Sequence, residues 1–223
     1  MNLCLNCSEP LVLDITWSNV FQLSNPSPLC EKCTALLSLI TGPICEKCGR
    51  QMKEATICSD CAKWSENILR TNRAVFSYSN EMKIFIQQWK FRGDYIWIDA
   101  FEPYIKAIFT KYYHNIQAVL VPIPLTEERL YERAFNQAEA IATVIDLPIE
   151  TALQRDNQFQ EKQSKKTRVE RLQSKNPFIV TKQLNKPVIL VDDIYTTGMT
   201  IHHAANALHT YGVKEIYSFT LVR

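Results

Sequence analysis

The sequence predicts an α/β protein in which a mostly parallel sheet follows a small cysteine-rich domain. All eight cysteines lie between Cys4 and Cys61, and residues 62–223 contain none. Beyond them, short apolar runs alternate with segments of helical periodicity, which is typical of α/β folds. The run 188–191 is apolar throughout, as expected for a parallel strand with both faces buried.

The predicted elements follow in order along the second part of the chain. A strand is expected at 74–78, followed by a helix on which Met82, Phe85, Ile86 and Trp89 recur at helical spacing. The remaining elements are a helix at 98–113, a strand at 118–123, a helix at 134–145, a strand at 188–191, a helix at 199–211 with Ile201, Ala204, Ala205 and Leu208 on one stripe and Gly212 at its end, and a strand at 216–222.

Composition excludes several classes of protein. A hydrophobic content of 46% with 22% charged residues argues against a disordered or fibrous chain. The 25 basic and 23 acidic residues give a net charge of +2, so no protein-wide basic field points to nucleic acid. The start of the sequence lacks a signal-peptide pattern, and no apolar run approaches the roughly 18 residues of a membrane span. We therefore expect a soluble, cytoplasmic protein.

The cysteines form four identical pairs, each with two residues between the thiols. Two such pairs can supply four thiolates to one tetrahedral zinc ion, so eight thiolates predict two structural zinc sites with no open ligand position. The spacing is compatible with a cross-braced pairing as well as a sequential one. In sequence order the quartets are Cys4, Cys7, Cys30 and Cys33, then Cys45, Cys48, Cys58 and Cys61.

A disulfide framework would be the alternative use of the cysteines. The missing export pattern and a reducing cytosol argue against it. About sixty residues with many polar positions also need a metal to hold a fold together. The predicted organisation is a double zinc ribbon at residues 1–62 and an α/β domain at residues 63–223.

The most informative stretch is a strand followed by a loop and a helix start. Ligands of open α/β sheets bind beyond the carboxyl ends of strands. A glycine, threonine hydroxyls and helix-start amides suit a phosphate, and two carboxylates suit ribose hydroxyls or Mg²⁺. The stretch is Asp192, Asp193, Ile194, Tyr195, Thr196, Thr197, Gly198, Met199 and Thr200.

Paired aspartates after a strand also occur in two different settings. They could be strand-end carboxylates that cap the following helix. They could instead belong to an ATPase strand, but such a strand accompanies a GxxxxGK[ST] loop, and the chain contains no Gly-Lys dipeptide. The sequence therefore argues against an ATPase.

An apolar strand, Asp-Asp and then Thr-Thr-Gly-x-Thr resembles the phosphoribosyl pyrophosphate (PRPP) motif of type I phosphoribosyltransferases. With the four cysteine pairs and the stretches 90–94 (KFRGD), 121–124 (VPIP) and 133–137 (RAFNQ), essentially the whole chain resembles the ComF competence family. The resemblance implies a parallel sheet of type I phosphoribosyltransferase type. It also implies a role in natural transformation, the uptake of single-stranded DNA.

The resemblance further implies roles for individual residues. Pro122, Ile123 and Pro124 would belong to the loop that receives pyrophosphate, and Gln163 and Arg171 to a mobile loop at about 156–176. The chain departs from the family at Ala134, where glycine is common, and at Lys166, where an apolar residue is usual.

Basic residues are the other candidate ligands. Pyrophosphate requires Mg²⁺, amides and cations, and Arg92, Arg129 and Arg133 could supply charge, although each alone could equally be a solvated surface arginine. A second group of cations lies between residues 162 and 175, within the polar segment 154–176, where Glu170 is the single acid among residues 162–175. We expect this group to contact single-stranded DNA. This group is Lys162, Lys165, Lys166, Arg168, Arg171 and Lys175.

Aromatic residues could also stack on bases, although core packing is the commoner use of such residues. Trp89, Phe91, Tyr95 and Trp97 are the candidates.

The sequence thus predicts a competence protein with two structural zinc ions that binds PRPP with Mg²⁺ and single-stranded DNA. A competence helicase or other DNA-uptake proteins are possible partners. The alternatives are an active phosphoribosyltransferase of nucleotide metabolism, whose acceptor pocket and catalytic residues the sequence does not identify, and a zinc-ribbon nucleic-acid-binding module without catalysis.

Overall fold

A computed structural model describes residues 3–11, 27–64, 67–91, 94–156 and 176–223. After a cysteine-rich segment with one short helix and one 3-10 turn, strands and helices alternate along the chain. In chain order the elements are α1 Glu31–Thr34, the 3-10 turn Cys61–Lys63, β1 Leu69–Phe76, α2 Asn80–Phe91, α3 Trp97–Tyr113, β2 Val119–Pro122, α4 Glu127–Arg133, α5 Gln137–Thr143, β3 Leu153–Arg155, β4 Phe178–Val180, β5 Val188–Ile194, α6 Met199–Thr210 and β6 Ile216–Val222.

The main sheet has the strand order β1-β6-β5-β2, and all of its strand pairs are parallel. The register pairs Pro122 with Val191 and Asp192 with Thr220. The carboxyl ends of β2 and β5 therefore meet at one edge of the sheet. This arrangement confirms the predicted α/β fold.

Apolar side chains cover both faces of the sheet. On one face Trp89, Trp97 and Phe101 pack in the same cluster as Phe76 and Phe219, and all five are nearly or completely buried. On the other face, the predicted stripe of α6 is buried against Val188 and Leu190. Ala204 and Ala205 of this stripe have no exposed surface, and their small side chains allow the helix to lie close to the strands.

The predicted helix at 134–145 is shorter in the structure, where α5 spans Gln137–Thr143, and a separate helix that was not predicted, α4, precedes it. Helix α4 ends where Ala134 adopts a left-handed conformation, with φ +65°. Asn136 then caps α5, its side chain accepting a hydrogen bond from the amide of Ala138 at 3.0 Å. Because α4 buries no side chain, it has no apolar stripe by which sequence periodicity could reveal it. The left-handed turn also explains why glycine would suit position 134, as is common in the family that the sequence resembles.

The cysteine-rich segment packs directly on the sheet. The side chain of Asn72 in β1 is fully buried and donates through Nδ2 to the carbonyl oxygen of Cys48 at 3.0 Å. The backbone amide of Asn72 donates to the carbonyl oxygen of Lys47 at 2.7 Å. The second cysteine quartet shares a buried cluster with Leu69 and Val121. The ribbon and the α/β region therefore share a hydrophobic core.

The helices also bear on membrane association. Within the described ranges, no helix combines the length and the apolar character that crossing a bilayer requires.

Candidate functional site

The eight cysteines form two clusters in sequence order. In each cluster the four sulfur atoms lie within 4.8 Å of one another, Cys4, Cys7, Cys30 and Cys33 in the first and Cys45, Cys48, Cys58 and Cys61 in the second. The structure thus selects the sequential quartets over the cross-braced ones.

The sulfur geometry suits zinc. The Sγ atoms of Cys7 and Cys30 are 3.7 Å apart, as are those of Cys48 and Cys58. Zn–S bonds of about 2.3 Å place tetrahedral ligands about 3.8 Å apart. The chain therefore has two Cys4 zinc-binding sites, and their all-sulfur ligand sets identify them as structural sites.

Backbone amides favour the thiolate form of one cysteine in each quartet. The amide of Cys30 donates to Cys4 Sγ, and the amide of Cys58 donates to Cys45 Sγ, each at 3.3 Å. Burial alone would raise the pKa of Cys4 and of Cys45, but these and other backbone donors outweigh it and lower each pKa to about 6. Thiolate is the form that binds metal.

The predicted phosphate loop, residues 195–198 and below called the phosphate loop, lies between the carboxyl end of β5 and the first turn of α6. Gly198 has φ +83°, and a Cβ there would overlap the Tyr195 phenol. The Tyr195 phenol is buried, and its oxygen lies 3.3 Å from Nε2 of His202. The Tyr195 ring therefore packs between Gly198 of the loop and the first turn of α6. The first amides of α6 have no intrahelical acceptors, which makes this helix start suitable for an anion.

Asp193 is held by two cations. Its carboxylate forms an ion pair with Lys90 of α2 and lies 3.8 Å from Nη1 of Arg133, at the end of α4. These three side chains are only 12–14% exposed. Arg133 Nη1 also donates to Gln137 Oε1 at 3.1 Å. Three elements distant in sequence thus bring charge to one strand end.

Asp192 lies in a different environment. Burial, followed by the charge of Asp193, raises the pKa of Asp192 to about 7, while the Asp193 amide, Lys90 and Arg155 act in the opposite direction. The amide of Asp193 donates to Asp192 Oδ1 at 2.9 Å. A cation or a ribose hydroxyl at the strand end would favour the ionised form of Asp192.

The loop after β2 is fixed against the same edge. The amide of Ile123 donates to the carbonyl oxygen of Val191 at 2.9 Å. Asn136 donates to the carbonyl oxygen of Ile123 at 3.1 Å, and Arg155 to that of Pro124 at 3.0 Å. The predicted pyrophosphate loop, Pro122 to Pro124, is therefore anchored beside β5.

The structure brings some predicted residues to this edge and separates others from it. Arg133 joins Asp193, and Arg129, although exposed on α4, lies close enough for its charge to act on Arg155. Thr196 and Thr197 are exposed at the loop, Met199 and Thr200 begin α6, and Ile194 packs partly against the core. Eight predicted residues lie outside the described residues: Arg92, Lys162, Gln163, Lys165, Lys166, Arg168, Arg171 and Lys175.

The aromatic candidates for base stacking divide in the same way. Trp89 and Trp97 are buried in the core, so they cannot stack on a base. Tyr95 is 47% exposed.

Three functional residues were missed by reasoning from the sequence. Lys90 and Arg155 supply charge near the two aspartates, and Asn136 anchors the β2 loop. Lys90 and Asn136 lie inside the KFRGD and RAFNQ stretches, so the signal for them was present. Arg155 had no such signal, since only the fold brings β3 to this edge.

Comparison with known proteins shows similarity to two domain families and to competence proteins. A double zinc ribbon domain matches residues 2–62, and a phosphoribosyl transferase domain matches residues 131–223. Competence protein ComFC of Bacillus subtilis (strain 168) is 41% identical, over 99% of this chain and 95% of the relative. Competence protein ComFC of Streptococcus pneumoniae (strain ATCC BAA-255 / R6) is 32% identical, over 99% of each.

A more distant relative is similar along most of its length. Competence protein F of Haemophilus influenzae (strain ATCC 51907 / DSM 11121 / KW20 / Rd) is 27% identical, over 87% of this chain and 90% of the relative. A zinc ribbon on a parallel sheet of phosphoribosyltransferase type, with similarity over the full chain, shows that the protein belongs to the ComF family of competence proteins.

Proposed function

We propose that the protein acts in natural transformation and binds PRPP with Mg²⁺ at the carboxyl end of β5. The observation that carries the proposal is the juxtaposition there of Asp192 and Asp193, the phosphate loop and the start of α6 with Lys90 and Arg133. PRPP carries a phosphate, two ribose hydroxyls and a pyrophosphate. This edge of the sheet offers a matching group for each of them.

Each part of the ligand would be bound by a different element. The loop amides and the Thr196, Thr197 and Thr200 hydroxyls suit the 5-phosphate. The two aspartates suit ribose hydroxyls or Mg²⁺. The remaining groups, for pyrophosphate, are Lys90, Arg133, Arg129 and the loop Pro122, Ile123 and Pro124, to which the sequence adds Arg92, Gln163 and Arg171.

Calorimetric titration of Mg²⁺-PRPP tests this site. Thr197→Val removes one exposed hydroxyl at the loop, and loss of a hydrogen bond to a charged phosphate should weaken affinity by about tenfold or more, equivalent to roughly 1.5–3 kcal/mol. Thr210→Val is the matched control, because Thr210 lies at the opposite end of α6. Identical affinity of the wild type and Thr197→Val would refute the phosphate assignment. Asp193→Asn should weaken the Mg²⁺-dependent part of the affinity.

Single-stranded DNA is a second proposed ligand. The support is the local excess of six cations over one acid between residues 162 and 175. If about four of them neutralise phosphates, log affinity should fall with log salt at a slope near −3, from about 0.7 per phosphate. Replacing Lys165, Lys166 and Arg168 by Gln should flatten the slope by roughly 2. An unchanged slope would place the DNA contact elsewhere.

Phosphoribosyl transfer to a base is the alternative function, and the matching transferase domain favours testing it. Release of pyrophosphate from PRPP should be measured over a panel of bases and single-stranded DNA. Turnover with one acceptor would establish an enzyme. PRPP binding without release would favour a role in which the ligand is bound but not consumed.

A further inference from the structure

Arg223 connects the second zinc site to the phosphate loop. Its guanidinium donates through Nη2 to Cys48 Sγ at 3.1 Å and through Nη1 to the carbonyl oxygens of Thr196 at 2.9 Å and Tyr195 at 3.3 Å. The same group lies over the Tyr195 ring, 4.8 Å from its centroid. One side chain therefore contacts a zinc ligand and both residues that begin the loop.

The main chain of Arg223 is fixed, so its side chain has a rigid base. Its amide donates to the carbonyl oxygen of Phe76 at 2.9 Å, and its carbonyl oxygen accepts from the amide of Tyr78 at 3.1 Å. The residue as a whole is only 8% exposed. A displacement of the guanidinium must therefore move the loop, the cysteine or both.

Burial of this cation requires a nearby negative charge. Two carbonyl oxygens accept its hydrogen bonds but do not neutralise it. The charge of Asp60 also acts on Arg223, but Asp60 forms its ion pair with Arg50 at 2.5 Å. A protonated thiol is a poor acceptor. A zinc-bound Cys48 thiolate is both a better acceptor and a charge partner. Occupation of the second quartet by zinc thus holds Arg223 where it orients the Tyr195 and Thr196 carbonyls.

We propose that Arg223 is a positioning residue through which the second zinc site holds the phosphate loop in its binding conformation. The inference rests on the proposed function for its consequence, PRPP affinity. Its mechanical part, the ordering of the loop, is independent of any ligand. The two parts can therefore be tested separately on the full-length, zinc-loaded chain.

Two variants and one control isolate the link. Arg223→Met keeps length but removes charge and donors, and Arg223→Lys keeps charge but loses the planar fork. Arg50→Met is the control, because Arg50 lies in the ribbon that holds the second cysteine quartet but pairs with Asp60 at 2.5 Å. Each variant is first checked for two bound zinc ions, and a variant that retains them has kept its ribbon fold.

The first readouts need no ligand. Hydrogen exchange of the amides from 196 to 200 should be about tenfold faster in Arg223→Met than in wild type, and unchanged in Arg50→Met. Release of one of the two zinc ions to a chelator should be about tenfold faster, as for other lost partners of metal ligands. For Arg223→Lys we expect rates of amide exchange and zinc release between those of wild type and those of Arg223→Met. Wild-type exchange in Arg223→Met would overturn the proposal.

The last readout is Mg²⁺-PRPP affinity, which should fall at least about fivefold in Arg223→Met but not in Arg50→Met. If wild type binds PRPP and Arg223→Met binds it equally well, the positioning role is wrong although the proposed function stands. If wild type does not bind PRPP, the proposed function fails, and loop exchange alone decides whether Arg223 orders the loop.

Discussion

The ion pair between Lys90 and Asp193 allows a prediction with a defined magnitude. Lys90→Met removes the ammonium group but keeps an unbranched side chain. Among the residues that the structure describes, the remaining cation beside Asp193 is then Arg133, whose Nη1 lies 3.8 Å away. Because the Lys90 and Asp193 side chains are 13% and 14% exposed, water replaces the lost partner poorly. A hydrogen bond to a charged group contributes about 1.5–3 kcal/mol.

Thermal unfolding of the zinc-loaded protein measures this loss. For a chain of 223 residues, about 2 kcal/mol corresponds to a decrease in Tm of about 4–8 °C. Lys90 is also one of the charges that lower the pKa of Asp192. The variant should therefore raise that pKa further and weaken PRPP binding most strongly at slightly acidic pH.

Lys106→Met is the matched control. Lys106 pairs with Glu102 one helical turn away, but the two side chains are 57% and 37% exposed, and exposed pairs contribute at most about 1 kcal/mol. Adding Asp193→Asn to Lys90→Met should cost less than the sum of the two single changes, because the two residues are coupled. Equal Tm changes for the two lysine variants, or strictly additive effects, would refute the reasoning.

Three further predictions concern other parts of the structure. Gly198→Ala should lower the free energy of chemical unfolding by at least about 2 kcal/mol, because the new methyl group clashes with Tyr195 and the backbone has a positive φ. Gly212→Ala, at φ +98° in open space, should lower it by about 1 kcal/mol. Equal losses would contradict the clash at Gly198. Cys7→Ser and Cys48→Ser should each reduce bound zinc from two ions to one by metal analysis, but Cys48→Ser should destabilise the sheet more in hydrogen exchange, since Cys48 is buried in a core shared with β2 and β5 whereas Cys7 is exposed. The pKa of His202 is lowered to about 4, by burial first and a neighbouring histidine second, so the unfolding free energy of wild type relative to His202→Gln should decrease as the pH falls from about 6.5 to about 4, by roughly 1.4 kcal/mol per pH unit; a pH-independent difference would show that the ring has the same pKa in the folded and the unfolded protein.

Local patterns were sufficient to predict the ribbon and the loop. Four identical cysteine pairs indicate tetrahedral sites whatever the fold around them, and the apolar run before Asp192 indicates a buried strand with a ligand at its end. The α6 stripe was predictable for the same reason, since Ile201 and Leu208 follow helical periodicity on a face that is buried.

Tertiary placement was not predictable in the same way. Helix α4 buries nothing, so no periodicity reveals it. Arg155 and Arg223 reach the strand-end site and the loop only through the packing of β3 and β6. The resemblance to a known family supplied the 121–124 loop, but nothing in the sequence linked Cys48 to Thr196. That link depends on a side chain far from both in the chain.

A crystal structure of the zinc-loaded protein with PRPP and Mg²⁺ would show directly whether PRPP binds at the carboxyl end of β5. We expect density for the 5-phosphate over the loop amides at 196–200, for the ribose beside Asp192 and Asp193, and for pyrophosphate facing Lys90 and Arg133. Density for PRPP elsewhere on the molecule, or an unliganded strand end at saturating PRPP, would contradict this expectation.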